Sequence, residues 1–166
     1  MEKISGFALT AILLLLISTP ALFSVDKADF DNIIDFSVTI KTLNQTAVDE
    51  GSPASSIDLN KLFLLNGTAS SITIINSKEN EFQVLVDLVS GEWLGLEDVK
   101  SYHCLILFEG PEFYRIFPKR KPKQPVPGLI TTNDRIMVVA RAIRQVTIET
   151  GKKSWLLEGF YVRTIR

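Results

Sequence analysis

The sequence predicts a mainly β protein: a small antiparallel barrel, closed or partly open, with little helix. Three observations carry this. Phe82, Val84, Val86 and Leu88 alternate with Gln83, Leu85, Asp87 and Val89, a period of two that puts the first four on one sheet face. A polar block, Asn76 to Glu81, joins that run to an earlier apolar one, Leu62 to Ile75, as a hairpin. No apolar pattern with helical spacing runs beyond about three turns.

From the N-terminus, Lys3 precedes an uncharged apolar run, Phe7 to Ile17, and Ser18 to Ala21 follow. Eleven residues fall short of the roughly 20 that span a bilayer. A basic start, a short apolar centre and a small-residue exit describe a secretory signal peptide over residues 1–24, with an uncleaved membrane anchor as the alternative. Residues 25–61 are expected to supply an N-terminal strand and loop that pack on the barrel, and 62–166 the barrel itself. Asp26 to Asp35 begins with a helical turn. Phe36, Val38 and Ile40 alternate with Ser37, Thr39 and Lys41 as a first strand, and Asn44 to Asn60, with Gly51 and Pro53, reads as a loop.

The run from Leu62 is long for one straight strand, and Asn66-Gly67 with Ala69-Ser70-Ser71 marks a bulge or bend. Long bent strands are what a small barrel needs to close. After Trp93, Gly95 to Ser101 connects to a strand over His103 to Phe108. Phe113 to Phe117 is expected as a short strand. Pro118 to Gly128 holds four prolines among basic residues and reads as an exposed extended loop. Ile136 to Ile143 and Trp155 to Ile165 are the last two strands, separated by a turn at Glu149 to Lys153.

Three pieces carry a resemblance to a known family: Leu65-Asn66-Gly67-Thr68-Ala69, the strand Phe82 to Trp93, and Asn133 to Arg141 with its valine-rich strand. From Leu62 onward the chain resembles an OB-fold, the oligonucleotide/oligosaccharide-binding barrel. The resemblance implies a ligand face on Phe82 to Trp93 and Tyr102 to Phe108. It also implies a helix where this chain carries the proline-rich stretch Pro118 to Thr132, a departure from the pattern. A β-sandwich or lipocalin-like barrel is the competing architecture.

The net charge of −1 conceals a split. Val25 to Val99 holds thirteen acidic and four basic residues, a net of −9, and Lys100 to Arg166 thirteen basic and five acidic, a net of +8. The basic half is expected to meet an anionic ligand or partner through Lys119, Arg120, Lys121 and Lys123 in the proline-rich loop and Arg135, Arg141 and Arg144 near the next strand. The competing reading of these charges is a solvated surface.

Catalytic patterns are missing. His103 is the only histidine, so no metal site is expected. There is no phosphate-binding glycine loop and no Gly-x-Ser-x-Gly elbow. Cys104, the only cysteine, lies in an apolar strand and reads as a buried structural thiol. Asn44-Gln45-Thr46 and Asn66-Gly67-Thr68 match the glycosylation acceptor pattern.

The expected function is an exported, non-enzymatic β-barrel binding module of the cell envelope or periplasm, without cofactor or metal. Its partner would be an anionic ligand, an envelope component or a protein. Membrane contact would run only through an uncleaved N-terminus or the basic loop. Nucleic acid is set aside as a partner, because few exposed aromatics stand out on the ligand face and export offers little of it. The alternatives are a nucleic-acid-binding OB-fold domain and a signal-anchored envelope protein of unknown activity.

Overall fold

A computed structural model describes residues 27–48, 57–95, 98–120, 122–124, 126–148 and 151–165. The expected signal peptide lies outside the described residues. The elements are α1 (Lys27–Ile33), β1 (Ile34–Asp35), α2 (Ile40–Val48), β2 (Leu62–Asn76), β3 (Gln83–Trp93), β4 (Val99–Glu109), a helical turn α3 (Pro111–Tyr114), β5 (Arg135–Thr147) and β6 (Lys153–Thr164).

Five strands close a barrel in the order β2-β3-β4-β6-β5, with β5 returning to β2. The expectation of a small, mainly β barrel is met. Neighbours are antiparallel except β4 and β6, which run parallel. Closure depends on β2. Its first half, Phe63 to Thr68, pairs with β5, and its second half, Thr68 to Asn76, pairs with β3. The register shifts between Ala69 and Ser71, inside the expected bend. One strand can serve two neighbours because it coils there. Gly67 sits at the crossing: a Cβ would lie 2.8 Å from the Val89 carbonyl oxygen and 2.9 Å from Leu88 Cγ.

Phe82, Val84, Val86 and Leu88 are fully buried, as their alternation predicts, and Cys104, Ile106 and Phe108 meet them from β4. Each end of the barrel is plugged. At one end Phe113 and Phe117 stack on Phe108 with centroids 5.0 and 5.3 Å apart, and Tyr114 meets Phe82 edge-on. At the other, α2 inserts Ile40, Leu43 and Ala47, all buried.

Two local expectations are corrected. The strand expected at Phe36 to Lys41 is a turn followed by α2. Asp35 Oδ1 accepts from the Ser37 amide at 2.9 Å and hydroxyl at 2.6 Å, reversing the chain. These bonds hold the Asp35 carboxyl below its usual range. The Thr39 amide then donates to Thr42 Oγ1, and the Thr42 amide to Thr39 Oγ1, a reciprocal cap that starts a helix. Apolar residues continue at helical spacing, Ile40, Leu43 and Ala47, so the loop expected from Asn44 also begins as helix. The strand expected at Phe113 to Phe117 is the turn α3 and its exit. Pro111 occupies a first-turn position, and Phe113 and Phe117, four apart, face the core together.

Candidate functional site

β4 and β6 pair only over Leu105 to Phe108 and Leu156 to Gly159. Before Leu105 the two strands part, and the His103 backbone, still paired with Val89 on β3, has no partner on β6. The His103 carbonyl instead accepts from Asn44 Nδ2 at 2.6 Å and Ser154 Oγ at 2.9 Å, and the His103 amide donates to Asn44 Oδ1. α2 thus floors the gap. Trp155 Nε1 donates to Thr46 Oγ1 at 3.2 Å and fastens the same helix to β6. Polar groups are paired where ladder bonds stop, which lets the gap stay open.

The result is a cleft of about 630 Å³ between the first half of β4, the β5–β6 turn and α2. Lys100, Lys152 and Lys153 line it, and among the described residues of its lining there is no carboxylate. Positive charge therefore gathers where walls of protein keep water partly out, a setting that attracts anions.

The outer face of β3 and β4 adjoins this cleft. Alternation sends Leu85, Asp87, Val89 and Trp93 outward on β3, opposite Leu107, Leu105, His103 and Val99. Trp93 is 73% exposed, and Gly91 beside it carries no side chain to cover it. His103 Nδ1 lies 3.2 Å from both Asp87 carboxylate oxygens, and Ser70 Oγ donates to Asp87 Oδ2 at 2.7 Å. These bonds fix the imidazole plane on the face, with Nε2 3.4 Å from Ser101 Oγ at the cleft margin. Ser101, His103 and Asp87 fall in the order of a hydroxyl–imidazole–carboxylate relay. The hydroxyl, however, lies on an open sheet face, not in the closed, donor-lined site that acyl transfer uses.

Behind the face, Lys41 Nζ reaches Glu92 Oε1 at 2.6 Å and Tyr102 Oη donates to Glu92 Oε2 at 2.7 Å. The hydrogen bond from Lys41, with that from Tyr102, lowers the Glu92 carboxyl below its usual range. The same bonds raise Lys41 and Tyr102. Lys100 Nζ stands 5.4 Å from the Tyr102 ring centroid. Cys104 is fully buried beneath, and burial pushes its thiol far up, so the expected inert thiol is found.

The structure describes six of the seven sequence-predicted site residues, on the proline-rich connection and on β5. Lys119 and Arg120 are exposed on the proline-rich connection, Lys119 Nζ lying 5.3 Å from the Tyr114 ring. Lys123 borders a separate groove of about 500 Å³, and Lys121 lies outside the described residues. Arg135, Arg141 and Arg144 are exposed on β5, with Arg141 Nη2 2.6 Å from Glu158 Oε2. None of the six described ones lines the cleft. Sequence reasoning missed Lys100, Lys152, Lys153 and Trp93. The signals were present: Gly151 turns two lysines out at a hairpin end, and Val89, Gly91 and Trp93 continue the outward parity of β3.

No family model and no curated protein matches the chain. Among solved structures it is similar to the small single-stranded DNA-binding protein from Streptomyces coelicolor, at 10% identity and a TM-score of 0.38, over 63% of this chain and 91% of that one. Two expectations are corrected, the envelope module meeting an anionic ligand, envelope component or protein and the setting aside of nucleic acid, because the premise about aromatics fails: Trp93 stands exposed on the ligand face. The closed strand order β2-β3-β4-β6-β5, with β4 parallel to β6, makes this chain an OB-fold domain.

Proposed function

We propose that the domain binds single-stranded nucleic acid across the outer face of β3 and β4. The observation that carries this reading is a lysine-lined cleft along the first half of β4 together with Trp93 exposed on the outer face of β3, whose strand partner Val99 precedes Lys100 of the cleft. The two features suit the two halves of a nucleotide. Phosphates seek cations and release counterions when they bind them, and an unstacked base gains about 1–3 kcal/mol on an aromatic plane. The imidazole of His103, held by Asp87, offers a second ring in the lining of the cleft. A single strand suits this surface better than a duplex, whose bases are already stacked and whose edges alone are accessible. The role is binding, not turnover: fixed planes and cations position a strand without attacking it.

Fluorescence titration with oligothymidylate over a salt series tests the reading. The chain has two tryptophans, Trp93 exposed and Trp155 buried, so quenching on binding reports on Trp93. Salt-sensitive quenching that disappears in Trp93→Ala, with anisotropy showing weakened binding, is the expected result. Absence of salt-sensitive binding by the wild type overturns the proposal.

A further inference from the structure

Resting on that reading, we propose that the outer face of the β5–β6 hairpin is a second contact surface for the same strand, which leaves the lysine cleft and runs along the hairpin. Pairing along β5–β6 slips between Val139–Tyr161 and Ala140–Gly159. Ordinary alternation would bury one of two consecutive residues. The slip instead leaves Phe160 and Tyr161 both exposed, at 45% and 50%, between inward Gly159 and Val162. Gly159 has no freedom to turn outward, because Phe108 fills the space its Cβ would need. Two adjacent ring planes therefore face solvent by construction.

Cations flank them. The Arg141 guanidinium lies 5.4 Å from the Phe160 ring, held by Glu158. Arg163 stands across from Met137, and Arg135 is exposed at the start of β5. Among the described residues facing out of this hairpin, Glu158 is the one carboxylate, and Arg141 occupies it. Rings interleaved with arginines suit stacked bases and their phosphates. From Lys153 at the cleft to Tyr161 is eight residues of β6, about 27 Å of extended strand. A short oligonucleotide held in the cleft does not reach the rings, and a long one does.

The test uses the full chain and oligothymidylates of about four and about fifteen nucleotides, near the two ends of the site sizes seen for one OB-fold. In the double variant Phe160→Ala/Tyr161→Ala, affinity for the long strand falls at least about tenfold while the short strand binds as to wild type. Arg163→Ser weakens the salt dependence for the long strand alone. Equal losses at both lengths, or no loss at either, overturn the second surface. A wild type that binds both lengths equally removes the path along the hairpin but leaves the cleft reading standing. A wild type that binds neither removes both. Displacement of the long strand from the wild type, but not from the double variant, by polyglutamate at equal charge assigns the rings to an acidic peptide and also overturns the proposal.

Discussion

Asn44 Nδ2 donates to the His103 carbonyl oxygen at 2.6 Å across 59 residues of sequence, and Asn44 Oδ1 accepts from the His103 amide. One side-chain amide thus replaces a missing strand partner in both directions. It ties α2 to β4 at the place where β4 parts from β6. Asn44→Ala removes both bonds, leaving the carbonyl with Ser154 alone. A loss of about 1–3 kcal/mol is expected, since half-buried backbone groups lose their partner. Urea denaturation checks it. The same engagement makes Asn44 a poor glycan acceptor in the folded chain, although its tripeptide fits the pattern.

Gly159→Ala is expected to cost about 1–3 kcal/mol or more. Its Cβ would press into the Phe108 ring, which is buried and wedged between Phe113 and Phe117. The ring has no free space to swing into. Thermal unfolding of the variant should occur several degrees below wild type, and an unchanged midpoint would show that Phe108 can move.

Val86 and Val89 separate the two faces of β3. Val86 is fully buried in the barrel, and Val89 lies half-covered on the outside. Val86→Asp should prevent folding, since an unpaired carboxylate buried there costs far more than the domain's spare stability. Val89→Asp should fold, because the new carboxylate can reach water. Circular dichroism of the two variants side by side tells them apart, and equal behaviour would refute the face assignment.

This contrast was legible in the sequence because the period of two ran through eight residues with polar Gln83 and Asp87 marking the outside. The bend in β2 was legible too, from Gly67 within a long apolar run. The helix α2 was not. Phe36, Val38 and Ile40 offered three alternations, while the cap between Thr39 and Thr42 that decides for helix shows only as two threonines three apart. Phe113 and Phe117 misled in the same way, since a run with three aromatics favours strand by propensity and the helical turn comes from Gly110-Pro111 before it. The cleft was beyond reach. It exists because two strands distant in sequence, β4 and β6, pair over four residues and then part, and no local pattern records where a pairing ends.

Acid should loosen the contact between α2 and the barrel. Bonds from Lys41 and Tyr102 depress the Glu92 carboxyl, so its contribution is present in full above the ordinary glutamate range. It is lost as pH falls through the lowered value. Lys41 is raised, so its contribution is complete below the ordinary lysine range and fades only as pH rises through the raised value. Glu92→Gln should therefore flatten the acid limb by slightly lowering stability at neutral pH towards its acid value, a small effect because both partners are partly solvated. Denaturation midpoints across the acid range provide the measurement, and an acid limb as steep in the variant as in wild type would assign it to other carboxylates.

Two basic clusters compete for the role of phosphate contact, and salt dependence can choose between them. Lys100, Lys152 and Lys153 converge on one cleft. Lys119, Arg120 and Lys123 are exposed at bends of the connection between α3 and β5. A converging set can meet neighbouring phosphates at once, whereas solvated cations on a separate connection meet them only if the strand passes over it. Each phosphate contact on a single strand adds about 0.7 to the slope of log affinity against log salt. Replacing the three cleft lysines by serine should therefore lower the slope by about 2 and weaken binding at low salt. Replacing Lys119, Arg120 and Lys123 should leave slope and affinity close to wild type. Neither change should move the melting temperature much, because exposed side chains away from caps and core contribute little. If the loop variant loses the slope and the cleft variant keeps it, the strand tracks the proline-rich connection, and the cleft is a by-product of where β4 and β6 separate.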